Sequence, residues 1–286
     1  MNDNNVQPAA RLSLASCVSI FAIGLTLALL RPASSAPVRA VGMAAPHSAA
    51  AIKTSNALTV YLPLVSKLID PCAPIPGASY TALSVLPPPT DRPAAEHADL
   101  NLALRGYEPT GAYLGLIDNT VSDPNAPQLA GLFTDNRVPT FTHVYQVHHW
   151  DWSCNCRAGP ITNPAVTLAG FQVAPGEIIN TPASGYDIGG GYQVLVLYAS
   201  AERITLKYTR EDNVVYGYTI HVENVCVEPN LLALYQSWNE AGRGSLPALR
   251  AGQPFGRARG DEIQVAIRDT GAFMDPRMRG DWWQGR

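Results

Sequence analysis

Imidazole, carboxylate and indole groups crowd into one stretch of the chain, His143-Val144-Tyr145-Gln146-Val147-His148-His149-Trp150-Asp151-Trp152. Imidazoles beside a carboxylate are the donor types of a zinc centre, which needs about three protein ligands at roughly 2.0 to 2.2 Å. On a strand, alternate residues face opposite ways, so His143 and His149 fall on the side of Tyr145 and Val147, and His148 on the other. The preferred reading is therefore a half-buried aromatic edge strand whose histidines bond backbone or water. Its tryptophans would also suit stacking against a sugar ring or a peptide side chain.

Cys154 and Cys156 follow at once, and with Cys72 and Cys226 they make an even set suited to disulfides in an oxidising compartment. A bond across a single intervening residue would close a strained ring. Each of the pair is therefore expected to bond outward, one with Cys72 and one with Cys226, in an order the sequence leaves open. A metal site using Cys-x-Cys is the weaker reading, because zinc thiolate sites usually repeat a two-residue spacing.

Other polar groups read as structural. His221 sits mid-strand between Ile220 and Val222, a satisfied structural histidine. Glu96, His97 and Asp99 read as a solvated turn. Ser184 lacks the Gly-x-Ser-x-Gly frame of a nucleophile elbow. Gly189-Gly190-Gly191 precedes no helix that could cradle a phosphate, although Asp187 could accept hydrogen bonds from that turn. Trp282 and Trp283 are expected to staple the carboxyl-terminal tail.

What must position these groups is a chain of 286 residues, 47% hydrophobic and only 15% charged, with 23 Gly and 24 Pro. That balance suits turn-rich β structure rather than long amphipathic helices. A formal charge of -3 provides no field for nucleic acid or an anionic membrane. Arg11 precedes an uncharged run at 12–30, which Arg31 and Pro32 end, the pattern of a signal peptide or signal anchor. The run's length leaves open whether it is cut near 36–45. Cys17 inside it reads as part of the membrane segment rather than an acylation site.

Residues 1–36 are thus assigned to export and 37–89 to an Ala/Ser/Pro-rich tether and spacer pinned by Cys72. Residues 90–176 form a β-rich module, with Leu100, Leu102 and Leu104 alternating and apolar runs at 113–117, 129–133, 138–147 and 166–173. Stronger strands follow at 193–198, 203–208, 214–222 and 262–268. One helix is expected at 230–241, where Pro229 suits the first turn and Leu231, Leu234, Tyr235 and Trp238 recur at helical spacing.

The segments Leu249-Arg250-Ala251-Gly252-Gln253-Pro254-Phe255-Gly256, 260–268 (GDEIQVAIR) and 271–276 run in the order of a known signature. With Ser184-Gly185-Tyr186-Asp187 in the frame of an HxGxD motif, 180–278 resembles the lysostaphin-type zinc endopeptidases, peptidoglycan hydrolases of the duplicated hybrid motif type. The resemblance implies an all-β fold: a β-rich amino-terminal module, then a peptidase-like β-sandwich or barrel with one short helix over 177–286. In that family HxGxD and the second His of HxH hold zinc, while the first His of HxH and the His of a YxH segment orient water and stabilise the transition state. The matching positions here are Ala183, Asp187, Ser237, Glu262 and Gln264, of which only Asp187 keeps the required residue. One carboxylate cannot hold zinc against water, and without the ion nothing lowers the pKa of a water to about 7.

The expectation is an exported, non-catalytic pseudo-peptidase module without a cofactor, binding a peptidoglycan-like peptide or an envelope protein and touching the membrane only through its amino-terminal segment. Two alternatives stand beside it. One is an active zinc hydrolase in which His143, His148, His149, Asp187 and Glu262 rebuild a metal site. The other is a purely structural secreted protein.

Overall fold

The computed structural model describes residues 70–286, so the export segment and the tether up to residue 69 lie outside the described part. Strand is the main regular structure of the described chain. In order it forms β1 (Thr81–Ser84), α1 (Leu102–Arg105), β2 (Tyr107–Pro109), β3 (Phe141–Asp151), β4 (Cys156–Pro160), β5 (Leu168–Gln172), β6 (Ile178–Asn180), β7 (Val194–Ala199), β8 (Arg203–Lys207) and β9 (Tyr218–Glu223). It continues through β10 (Val225–Val227), α2 (Pro229–Glu240), β11 (Ser245–Leu249), β12 (Pro254–Ala258), β13 (Glu262–Asp269), β14 (Ala272–Met274) and α3 (Arg279–Trp282).

Eleven strands build one antiparallel sheet in the order β1-β11-β7-β8-β9-β13-β5-β3-β2, with β14 on β13 and β4 on β3. Its end strands do not meet, so the fold is all-β without a closed barrel. A second sheet, β10-β12-β6, supplies the facing layer. β5 of the 90–176 segment pairs with β13 of the 177–286 segment, so the two β-rich stretches share a sheet.

The alternation in β13 explains both faces. Ile263, Val265 and Ile267 point into the main core with Ile204, Leu206, Ile220 and Val222, against Ile179, Val225 and Phe255 of the small sheet. Gln264, Ala266 and Arg268 point the other way, where Leu102, Val147, Leu168, Ala266 and Phe273 form a smaller apolar cluster. Trp282 and Trp283 are both buried in the main core, their indole N–H groups donating to Asp275 and Pro276 carbonyls at 2.9 Å. α2 packs on β11 and β7. Its start matches expectation: Pro229 occupies the first turn and the Glu228 carboxylate accepts from the N–H groups of Asn230 (2.8 Å) and Leu231 (3.1 Å).

Several expectations are corrected. The spacer contributes β1, which pairs with β11 and becomes a sheet edge. The alternating leucines do not form a strand: Leu102 starts α1, burying Leu100 in one core and Leu102 in the other. The run at 129–133 begins as a short 3-10 helix, Leu129–Leu132.

The cysteines pair as Cys72–Cys226 and Cys154–Cys156, not outward from the Cys-x-Cys. The reason is the β3–β4 hairpin. Asn155 takes a left-handed φ of 52° at its tip, which brings the flanking Cα atoms to 5.2 Å, within disulfide reach. Two bridges mark the folding environment as oxidising. Among the described residues no helix is long and apolar enough to cross a membrane.

Candidate functional site

Strand register assembles a polar row on the face opposite the main core. Gln264 of β13 stands across from Gly170 of β5 and from Glu223 of β9, and Glu223 stands across from Arg203 of β8. Residues directly opposed in a ladder project to the same face, so four strands deliver one continuous row. α1 and the segment before it cover the next rows of this face. Thr205 donates to the Leu100 carbonyl at 2.6 Å, and Arg268 donates to Asp99 at 2.8 Å. The end row stays open as a groove of about 340 Å³ lined by Tyr107, Glu202, Arg203, Glu223, Asn224 and Gln264.

Glu223 is buried and accepts from Arg203 Nε at 2.9 Å. Burial pushes its carboxyl above the ordinary value, although Arg203 works the other way. Burial likewise raises the Tyr107 phenol at the groove wall to about 12.

At the end of the row, Glu262 is a hub. Its carboxylate, only 12% exposed, accepts from His143 Nδ1 (2.5 Å), Gln264 Nε2 (2.6 Å), the Tyr145 hydroxyl (3.1 Å) and the Thr142 hydroxyl. Thr142 and His143 are consecutive, and a regular strand would turn them to opposite faces. A register irregularity between Phe141 and Val144 bends β3 so that both reach one carboxylate. Gly170 leaves room for it. A Cβ there would lie 2.6 Å from the Glu262 carboxyl carbon and 2.7 Å from Thr142 Oγ1.

Burial pushes the Glu262 carboxyl up, but the hydrogen bonds from His143, Thr142, Gln264 and Tyr145 outweigh it and hold the group below its ordinary value. The ionised carboxylate accepts only, so Nδ1 is the donor of His143, whose side chain is 64% exposed. Such a site can bind and orient. A carboxylate offers about four acceptor positions, and four donors use them, leaving no lone pair committed to an ion.

The sequence-predicted site residues do not converge. Glu262, Gln264 and His143 come together. Asp187, by contrast, precedes β7 at the end of the sheet where Leu195 pairs with Lys207, Lys207 with Thr219, and Thr219 with Arg268. Arg268 is six residues beyond Glu262 along β13, about 20 Å at strand rise. There Asp187 accepts from the N–H groups of Gly189 (2.7 Å) and Gly191 (3.2 Å), the structural task foreseen for it. Ala183 is exposed, its carbonyl accepting from Gln128 N–H at 2.9 Å. Ser237 is exposed on α2. The carried-over set Ala183, Asp187, Ser237, Glu262 and Gln264 is therefore not one cleft.

The alternative zinc set fails for the same geometric reason. His148 Nδ1 bonds the Ala158 carbonyl at 2.8 Å near the far end of β3, His149 is exposed, and Asp187 lies at the opposite sheet end. Among the described residues no three His, Cys, Asp or Glu gather as a metal-holding group.

His221 is buried as expected, with Nδ1 3.0 Å from Thr205 Oγ1, but its Nε2 has no partner. Asp99 does more than solvate a turn, since it pairs with both Arg105 (2.6 Å) and Arg268 (2.8 Å). Thr142, Tyr145, Gly170, Arg203 and Glu223 were not foreseen as site residues. A signal existed in charged or amide side chains at alternate positions of otherwise apolar strands, as in Tyr218–Glu223 and Glu262–Asp269. No protein-family model, curated protein or solved structure matches this chain.

Proposed function

We propose that this chain is an exported, non-catalytic binding module of the cell envelope, in which the strand resembling the HxH strand of lysostaphin-type peptidases has become a ligand-facing wall. The reading rests on one observation: Glu262, which stands where that family has a histidine, is saturated by Thr142, His143, Tyr145 and Gln264. A group so occupied orients its neighbours instead of holding an ion. Beside it, the Gln264 carbonyl, the Arg203 guanidinium, the Tyr107 hydroxyl and the Glu202 and Glu223 carboxyls line a groove that is almost wholly polar. Those groups match the amides, carboxylates and amines of a short peptidoglycan-like peptide better than an apolar ligand. The paired cysteines fit the exported setting.

The test is titration of the purified chain with synthetic peptidoglycan stem peptides, followed by amide NMR. Saturable shifts of the Gln264 and Asn224 side-chain amides, reduced at least tenfold in affinity by Glu223→Gln and unaffected by EDTA, support the proposal. Peptide cleavage that EDTA abolishes refutes it. Absence of any binding leaves the structural-protein reading standing in its place.

A further inference from the structure

The two disulfides sit in opposite surroundings. Cys226 is buried in β10, beneath the surface segment that carries Cys72, and the bond joins positions 154 residues apart. Cys154 and Cys156 occupy the tip of the β3–β4 hairpin, where every residue from Asp151 to Gly159 is exposed. Opening the first bond releases a long-range constraint on the unfolded chain. Opening the second releases a loop of one intervening residue and so takes little from the fold. A nucleophile can approach either sulfur at the tip, whereas the first bond is open only at the exposed Cys72, its Cys226 sulfur being buried.

The surroundings of the tip add a readout. Between the two cysteines, Asn155 accepts from Arg92 Nη1 at 2.9 Å and from the Trp150 indole N–H at 3.3 Å. The Arg92 guanidinium also lies 4.8 Å from the ring centre of Trp152, which is 43% exposed and meets His97 edge-on at 5.2 Å. Arg92, whose charge is already paired with Asp91 at 3.0 Å, thus ties the residue between the two sulfurs to the neighbouring segment. The ring that holds Asn155 at positive φ is therefore the one that presents it to Arg92 and seats the hairpin on the 91–97 segment.

We infer that Cys154–Cys156 is an exchangeable disulfide, a two-electron acceptor for external dithiols, while Cys72–Cys226 is a permanent staple. In the first step a thiolate of the dithiol attacks one sulfur of the pair. A mixed disulfide forms, the Cys154–Cys156 bond breaks, and the departing cysteine leaves as a thiolate that takes a proton from water. The second thiol of the reagent, giving up its proton, attacks the mixed disulfide and releases the other cysteine, which is protonated in turn. The dithiol ends as a disulfide, and the hairpin tip ends as two thiols.

The experiment exposes the full chain to graded dithiothreitol, quenches with acid, labels free thiols with N-ethylmaleimide and locates the label by peptide mass spectrometry. Cys154 and Cys156 are expected to be labelled at a dithiothreitol concentration at least tenfold below that which opens Cys72–Cys226. A smaller separation, or the reverse order, overturns the inference. Tryptophan fluorescence is expected to shift over the lower range alone. A Cys154→Ser/Cys156→Ser variant must lose that shift while keeping Cys72–Cys226, and persistence of the shift in the variant also overturns it.

Discussion

Gly170 holds open the space that the Glu262 carboxylate fills: a Cβ on Gly170 would lie 2.6 Å from the carboxyl carbon. The clash is with the end of a flexible side chain, so Gly170→Ala is expected to fold while expelling Glu262 from its four donors. Hydrogen bonds to a charged group contribute about 1.5 to 3 kcal/mol each, and alanine in a strand regains roughly 0.5 to 1 kcal/mol over glycine. A net loss of several kcal/mol in urea unfolding, with a changed His143 imidazole signal in NMR, is the expected result. An unchanged imidazole signal would show that the hub does not depend on the vacancy at residue 170.

Acid should weaken the fold through Asp99. Burial pushes this carboxyl up, but Arg268 and Arg105 outweigh it and bring it to about 2. The folded value lies below the unfolded one of about 3.9. The stabilisation is therefore complete above the unfolded value and is lost as pH falls through 4 toward 2, amounting to about 2 kcal/mol. Asp99→Asn should be less stable than the parent at pH 7 by at least that much, and the two unfolding curves should converge near pH 2.

Lys207 works against stability. It is 0% exposed, and its Nζ finds the Gly217 carbonyl only at 3.5 Å. Burial brings it down to about 8, although Glu211 works the other way. Since the folded value is the lower one, the penalty is full below pH 8 and fades as pH rises toward about 10.4, a span of about 3 kcal/mol. Lys207→Met should raise the urea midpoint at pH 7 by an amount equal to roughly 1 to 3 kcal/mol and should lack the parent's gain in alkali.

Stability should also separate the two bridges. On loop-closure grounds Cys72–Cys226 contributes about 5 kcal/mol and Cys154–Cys156 under about 2 kcal/mol. Thermal unfolding of the two double-serine variants checks this; equal losses would contradict it.

Much of the fold was legible because strand alternation is local. Val194–Ala199, Arg203–Lys207 and Glu262–Asp269 announce themselves by β-branched and aromatic residues, and α2 by Pro229 and the spacing of Leu231 and Tyr235. Leu102 escaped because a single helical turn buries it as well as a strand would. The site was legible only in fragments. Glu262 and Gln264 stood out, but their neighbours Gly170, Thr142 and Glu223 lie 39 to 120 residues away and meet them only through pairing register, which spacing along the chain does not encode. Asp187 was misplaced for the same reason, since a motif's order does not say at which end of a sheet it will land.

The Cys72–Cys226 bridge also decides how this domain would bear load. Traction arriving along the chain ahead of β1 meets Cys72 first, and the covalent link hands it to β10 in the small sheet. β1 is thereby spared from being peeled off β11 one hydrogen bond at a time, as an unprotected edge would be when pulled from its own end. With the bridge closed, the pull falls instead on β10, a short but fully buried strand held to β12.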